Sequence, residues 1–246
     1  MDRPPSVIYG TDCDVLKVLL ALHAPPSPRV LDTTFGRGVM WKKVDVRPWR
    51  NDIAPDLEAD SHYDFRRLPA EWADRFDVVV FDPPHITEVG ANARLASGNP
   101  YGLRDLNGHA LAEVDVAHLF PAFLREAQRV LRPGGIVLAK VKDGVHRSRF
   151  RWLSYDFKVA AEQIGMTMCA PIIKVDPHAG RIQGANWTQV DHPRTVHTWW
   201  LTVHNGELCV ARKNRRASRA VPSLAHQADA KTNRTVPSRP RLDKAI

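Results

Sequence analysis

An open α/β sheet of mostly parallel strands, covered by helices on both faces, is the fold class this sequence predicts. Three observations lead there. Short apolar runs rich in β-branched and aromatic residues recur, at Val30-Leu31, Phe76-Asp77-Val78-Val79-Val80-Phe81 and Ile136-Val137-Leu138-Ala139-Lys140-Val141, and read as buried strands. Segments with helical apolar spacing fall between and after them. Each of the first two runs leads into an acid followed by glycine or proline, the punctuation of a strand leaving a sheet. A chain of 246 residues with 43% hydrophobic content is enough for one α/β core plus extensions.

The elements follow in order. Ser6-Val7-Ile8-Tyr9-Gly10-Thr11 precedes a predicted helix over 12–22, with Thr11 placed as its N-cap. Arg29-Val30-Leu31 is a strand leading into Asp32-Thr33-Thr34-Phe35-Gly36-Arg37-Gly38, whose two glycines allow positive φ and close approach of backbone to a ligand. A dinucleotide fingerprint would place a third glycine further on; position 41 is Trp, and here the acid comes before the glycines. Val44-Asp45-Val46 reads as the next strand, with Asn51-Asp52 at its acidic end. A carboxylate there suits a ribose diol, because it accepts two O–H donors.

The run 76–81 ends in Asp82-Pro83-Pro84-His85. Two prolines forbid further ladder pairing and stiffen the turn. They present a carboxylate, a rigid carbonyl and an imidazole together at a strand's carboxyl end, where open α/β sheets bind ligands. A carboxylate and a carbonyl side by side can accept both hydrogens of a planar NH2 group, chemistry suited to methyl transfer onto an exocyclic amino nitrogen. Downstream, 120–131 is a predicted helix ended by Arg132-Pro133-Gly134-Gly135, and 136–141 is a buried strand. A helix over 152–164 and strands near 167–175 and 196–203 complete the pattern, the last pair closing the sheet as an antiparallel hairpin.

In this order the segments resemble class I S-adenosylmethionine-dependent methyltransferases, over roughly residues 1–210. Asp32-x-x-x-Gly36-x-Gly38 is similar to that family's first motif. The resemblance implies a seven-stranded, Rossmann-like sheet and S-adenosyl-L-methionine as cofactor, held by Asp32, Thr33, Phe35, Gly36 and Gly38. It further implies Asp52 on the ribose hydroxyls and Asp64 reaching the adenine amino group beside Phe65. In this family the segment before the first helix folds over the methionine end of the cofactor. Asp82, Pro83, Pro84 and His85 resemble the catalytic motif of amino-directed (N6-adenine or N4-cytosine) DNA methyltransferases, with the cofactor motif first and the catalytic motif second. Pro193-Arg194-Thr195-Val196-His197-Thr198 is similar to their approach to the last strand, with Thr198 where an acid is common.

The chain departs from that pattern in two ways. The tetrapeptide ends in His85 where the family usually has Tyr, Phe or Trp, and imidazole is a smaller ring that can carry charge. No large target-recognition domain is present, so discrimination falls to loops. The resemblance implies adenine N6 in DNA as the first target. RNA amino groups and cytosine N4 are the alternatives; a protein methyltransferase, which would have Asn in place of Asp82, and a non-catalytic nucleic-acid-binding fold stand behind them.

Two long loops, over 86–118 and 176–195, are candidate lids or binding loops. Arg147, Arg149, Arg151, Arg181 and Arg194, interleaved with Phe150, Trp152 and Trp187, could rim the site with phosphate contacts and stacking surfaces. Residues 211–246 hold ten of the 35 Lys and Arg, including Arg212, Lys213, Arg215 and Arg216, but two of the 27 Asp and Glu. The net charge of +8 therefore lies in this tail, which has prolines and no apolar periodicity and reads as a disordered arm for polyanions. Cys13, Cys169 and Cys209 lack Cys-x-x-Cys spacing and the eleven His show no paired spacing, so the sequence predicts reduced thiols and no metal. No apolar run reaches membrane-spanning length and the first residues lack a signal-peptide pattern, which together predict a cytoplasmic protein.

Overall fold

The computed structural model describes residues 4–83, 116–146, 149–176 and 197–206. In chain order its elements are β1 (Val7–Tyr9), α1 (Asp12–His23), β2 (Val30–Asp32), β3 (Trp49–Arg50), β4 (Phe76–Phe81), α2 (Phe120–Val130), β5 (Leu131–Val141), β6 (Gly144–His146), β7 (Arg149–Arg151), α3 (Leu153–Gln163), β8 (Thr167–Met168), β9 (Ile172–Val175) and β10 (His197–His204). The sheet runs β1-β9-β10-β5-β4-β2-β3, with β8 alongside β10, and β6 and β7 form a separate antiparallel pair. β10 pairs antiparallel with β5, β8 and β9, while β1–β9, β5–β4, β4–β2 and β2–β3 pair parallel. The α/β sheet is thus mostly parallel and Rossmann-like, and its chain order reverses between β2 and β4, the kind of switch point at whose carboxyl ends open α/β sheets bind ligands.

Strand alternation sorts the core onto two faces. Val30, Val78, Val80, Ile136, Leu138 and Trp200 face α1, which fills that layer with Val15, Leu16, Val18, Leu19 and Leu20. Leu31, Val79, Phe81, Val137, Ala139 and Leu201 face the opposite way, onto α2 and α3. The ring of Phe81 stacks on Phe123 with centroids 3.7 Å apart, and Phe120 meets Phe157 edge to face. Each such ring, fully buried, contributes about 1.5–3 kcal/mol relative to exposure.

Several sequence expectations shift in position. The sheet has eight strands where seven were expected; β1 adds itself to β9, and β8 is a short separate strand. The strand expected at 44–46 falls instead at Trp49–Arg50. Val44 closes a turn through its N–H to the Trp41 carbonyl, and Pro48, which has no N–H, leaves two residues to pair before Asn51. The expected strand over 167–175 divides at Pro171, which has no N–H to donate; before it, Cys169 extends the β8 pairing by donating its N–H to the Thr202 carbonyl. Arg132-Pro133-Gly134-Gly135 bulges from the ladder: from the pair Phe76–Leu131 to the pair Val78–Ile136, β4 advances two residues and β5 five. A Cβ on Gly135 would sit 2.9 Å from the Arg132 carbonyl oxygen, so the bulge needs glycine there.

α1 starts as its sequence predicts: Thr11 donates from both its N–H and its hydroxyl to Asp14 Oδ2. No helix of the described residues is long and apolar enough to cross a membrane. Residues 84–115, 177–196 and 207–246, where the long loops and the tail are expected, lie outside the described residues.

Candidate active site

The carboxyl ends of β2 and β4 are joined before any ligand is considered. Asp82 donates its backbone N–H to Thr34 Oγ1 at 2.8 Å, and Thr33 bonds Val80 through both its N–H and its hydroxyl. The glycine turn and the Asp-Pro turn therefore hold each other in place. Pro83 is buried. Pro84 and His85 fall outside the described residues.

The glycine turn is shaped by its own constraints. Gly36 and Gly38 adopt φ of 57° and 64°, which side-chain-bearing residues rarely take. A Cβ on Gly38 would run into the Phe35 ring, whereas one on Gly36 would meet nothing. So Gly36 is required by conformation, and Gly38 by conformation and close packing together. Asp52 Oδ2 accepts the Gly36 N–H at 2.7 Å, while Oδ1 accepts the Ala54 N–H. A carboxylate oxygen has a second lone pair, so each of these still has acceptor capacity.

Asp32 is fully buried at the floor of this turn. Its Oδ1 accepts the Thr34 N–H and its Oδ2 accepts Trp41 Nε1 at 2.6 Å. Burial drives its pKa from the usual carboxylate range up to about 7. The Trp41 and Thr34 hydrogen bonds oppose that rise, and the charges of Asp82 and Asp52 add to it. Three carboxylates thus meet at one edge of the sheet, close enough for each charge to act on the buried Asp32.

Asp82 has a partner that sequence reasoning missed. Lys140 Nζ, from β5, donates to Asp82 Oδ2 at 2.9 Å and lies 3.2 Å from Asp12 Oδ2 at the start of α1. Lys174 of β9 lies 3.0 Å from the other Asp12 oxygen. Asp82, Lys140, Asp12 and Lys174 form one alternating ionic chain across the carboxyl edge. Burial disfavours the Lys140 charge, but Asp82 and then Asp12 overcome it and hold its pKa above the ordinary lysine value. The signal was a lysine at the end of an otherwise apolar strand, since buried lysines are paired.

The remaining expected residues separate. Phe65 is 3% exposed and its ring meets Phe81 and Phe123 in the core. Asp64 closes on Arg66, which reaches its Oδ2 at 2.6 Å. Asn51, beside Asp52, proves central: its side chain bonds the Thr33 and Tyr63 carbonyls, the Tyr63 N–H and the Ser61 hydroxyl, tying the glycine turn to 61–63. Asp143, after β5, accepts from Ser154 and Trp199 and fixes α3 and β10 to that strand end. Beyond it stand the exposed rings of Phe150, Trp152 and Tyr155, the first two edge to face, with Arg151 paired to Asp156. Arg149 lies in the β7 backbone, and Arg147, Arg181, Arg194, Arg212, Lys213, Arg215 and Arg216 lie outside the described residues.

No protein-family model matches the chain, and no curated protein matches it. Solved structures do resemble it. One is a Thermus thermophilus protein with a provisional assignment as a DNA modification methylase, crystallised with S-adenosyl-L-methionine. It shares 20% identity at a TM-score of 0.36, over 58% of this chain and 52% of that one. The 1,6-didemethyltoxoflavin-N1-methyltransferase of Burkholderia thailandensis, bound to 1,6-didemethyltoxoflavin and S-adenosylhomocysteine, shares 13% identity at a TM-score of 0.49, over 80% and 79% of the two chains. The chain spans about half the length of the Thermus protein. With both TM-scores below 0.5, the functional reading rests on this chain's own residues.

Proposed function

We propose that this protein is an S-adenosyl-L-methionine-dependent methyltransferase acting on an exocyclic amino group of a nucleic-acid base, with adenine N6 in DNA as the first target. The observation that carries the reading is the bonded pair of turns at the carboxyl edge: two positive-φ glycines beside Asp32 and Asp52, tied through Thr34 to Asp82-Pro83. The residues fit the cofactor. The positive-φ turn at Gly36 and Gly38, open at Gly36, lets backbone approach a ligand closely, and Asp52 keeps acceptor capacity for ribose hydroxyls. S-adenosyl-L-methionine supplies a methyl group on positive sulfur.

The chain's own residues orient the nucleophile. An aromatic amine is weak because its lone pair is delocalised into the ring. Asp82 and the Pro83 carbonyl accept its two hydrogens, favour pyramidal nitrogen and direct the lone pair at the methyl carbon. With the cofactor bound, the nitrogen would take its methyl group; Asp82 would stabilise the positive charge developing on nitrogen, and the amine proton would pass through its carboxylate to solvent. Lys140 positions Asp82 for this step from β5. Phe150, Trp152 and Tyr155 offer exposed ring faces of the kind that stack on bases, which favours nucleic acid over a small-molecule acceptor. A base in a duplex has to be extruded before it reaches Asp82.

Incubation with tritiated S-adenosyl-L-methionine and DNA, RNA or protein tests the reading. Label in DNA, released as N6-methyladenine on digestion, is the expected result; label in RNA alone moves the target, and label in protein alone overturns the proposal.

A further inference from the structure

The opposite edge of the sheet holds a second cluster, assembled from three distant parts of the chain. His23 is the last residue of α1, Cys169 follows β8 and His204 ends β10. A ring nitrogen of each histidine and the Cys169 sulfur all lie within 4.8 Å of one another, and the two rings meet edge to face at 5.8 Å. Among the described residues this is the group of His, Cys and acidic side chains close enough to share an ion. We propose that His23, Cys169 and His204 bind a divalent cation of the zinc class, through two imidazole nitrogens and one thiolate, with an exchangeable fourth position.

Two borderline nitrogens and one soft sulfur select zinc-like d-block ions over magnesium or calcium. Bonds of about 2.0–2.3 Å in a tetrahedron place ligand atoms about 3.3–3.7 Å apart, so the cluster needs a contraction of about 1 Å, within reach of side-chain rotation. The backbone around it is already fixed. Cys169 N–H donates to the Thr202 carbonyl at 2.8 Å, and His204 is in register with Thr167 on one side and Ile136 on the other. His204 is 6% exposed, which strengthens the metal's attraction for its ligands by lowering the local dielectric. His23 is half-buried and lines a surface depression of about 80 Å³ with Pro25, Asp77, Arg132, Pro133, Gly134 and Gly135, an open approach for the ion and for a water at the fourth position. As the S–metal bond forms, the Cys169 thiol gives its proton to solvent.

The site is separate from the carboxyl edge. His204 pairs with Ile136, which pairs with Val78, four residues before Asp82 on the same strand; at about 3.3 Å per residue the two edges lie about 13 Å apart along it. An ion bound there clips α1, β8 and β10 together. Because the unfolded chain does not bring 23, 169 and 204 together, binding raises the thermal midpoint.

The test uses the full-length protein stripped with a chelator. Titration with Co2+ should give visible d–d bands and a near-ultraviolet thiolate-to-cobalt band at one ion per chain. Zn2+ should displace it and raise the melting temperature. Cys169→Ser should abolish the thiolate band, and His23→Ala, at an accessible helix end, should weaken Zn2+ binding at least tenfold; Cys209→Ala should change neither. No stoichiometric binding, or a thiolate band and affinity that survive Cys169→Ser and His23→Ala, would overturn the site. The titration reads no methyl transfer, so its outcome is independent of the proposed reaction.

Discussion

The two edges of one sheet carry opposite chemistry. At the carboxyl edge, Asp32, Asp52 and Asp82 gather around turns that leave parallel strands; Lys140 pairs with Asp82 and Asp12, and Lys174 with Asp12. At the other edge, two imidazoles and a thiol meet where the reversed strand β10 ends. Parallel strands end together, so the residues that follow them converge on one edge. The antiparallel strand delivers its last residue, His204, to the other. Strand direction thus separates a charged crevice from a soft-ligand cluster.

The largest effect expected to break this contrast is at Asp82. Asp82→Ala should lower methyl transfer by about 10²–10³-fold while calorimetry shows cofactor affinity unchanged, the signature of a group acting in the transition state. Parental turnover in that variant would leave the carboxyl edge without its assigned chemistry. His85→Tyr, outside the described residues, should retain or raise turnover by restoring a larger stacking ring.

Lys140→Met should lower turnover less, by about tenfold, and destabilise the fold by about 1–3 kcal/mol, because Asp82 and Asp12 then face each other with reduced compensation. Lys140→Arg should recover stability more than turnover, since a planar fork replaces a compact point charge. Denaturant melts and single-turnover rates separate the two effects.

Asp32 sharpens the comparison through pH. Its carboxyl ionises near 3.8 when unfolded and near 7 when folded, so over that window the native state holds the extra proton. Its contribution to stability therefore falls as pH rises from about 4 to about 7, then levels. Asp32→Asn removes the slope and loses one hydrogen bond, to Trp41 or to Thr34. Melting curves from pH 5 to 8 should show the parent losing ground relative to the variant as pH rises; a constant difference would mean that Asp32 is ionised throughout.

The smallest effect on chemistry is expected from the tail. Deleting 211–246 removes ten basic residues and should flatten the salt dependence of DNA binding while turnover at saturating substrate stays the same. Filter binding across a salt series reads the slope directly, and an unchanged slope would end the tethering role.

Much of the fold was legible in local pattern. The apolar run 76–81, the helical spacing of 120–131 and the glycine and proline turns marked where the chain enters and leaves the sheet, because burial and backbone conformation constrain those residue types directly. Asp32, Gly36, Gly38, Asp52 and Asp82 were singled out the same way, and the structure gathers them through bonds of Asp52 to Gly36 and of Thr34 to Asp82. Phe65 was expected beside a ligand and packs in the core, since an aromatic after an acid reads alike in either place. What local pattern could not contain was pairing between distant segments. Lys140 meets Asp12 and Asp82 across 128 and 58 residues of sequence, and His23, Cys169 and His204 show no common spacing. Those encounters depend on strand order and direction, and only the folded sheet decides them.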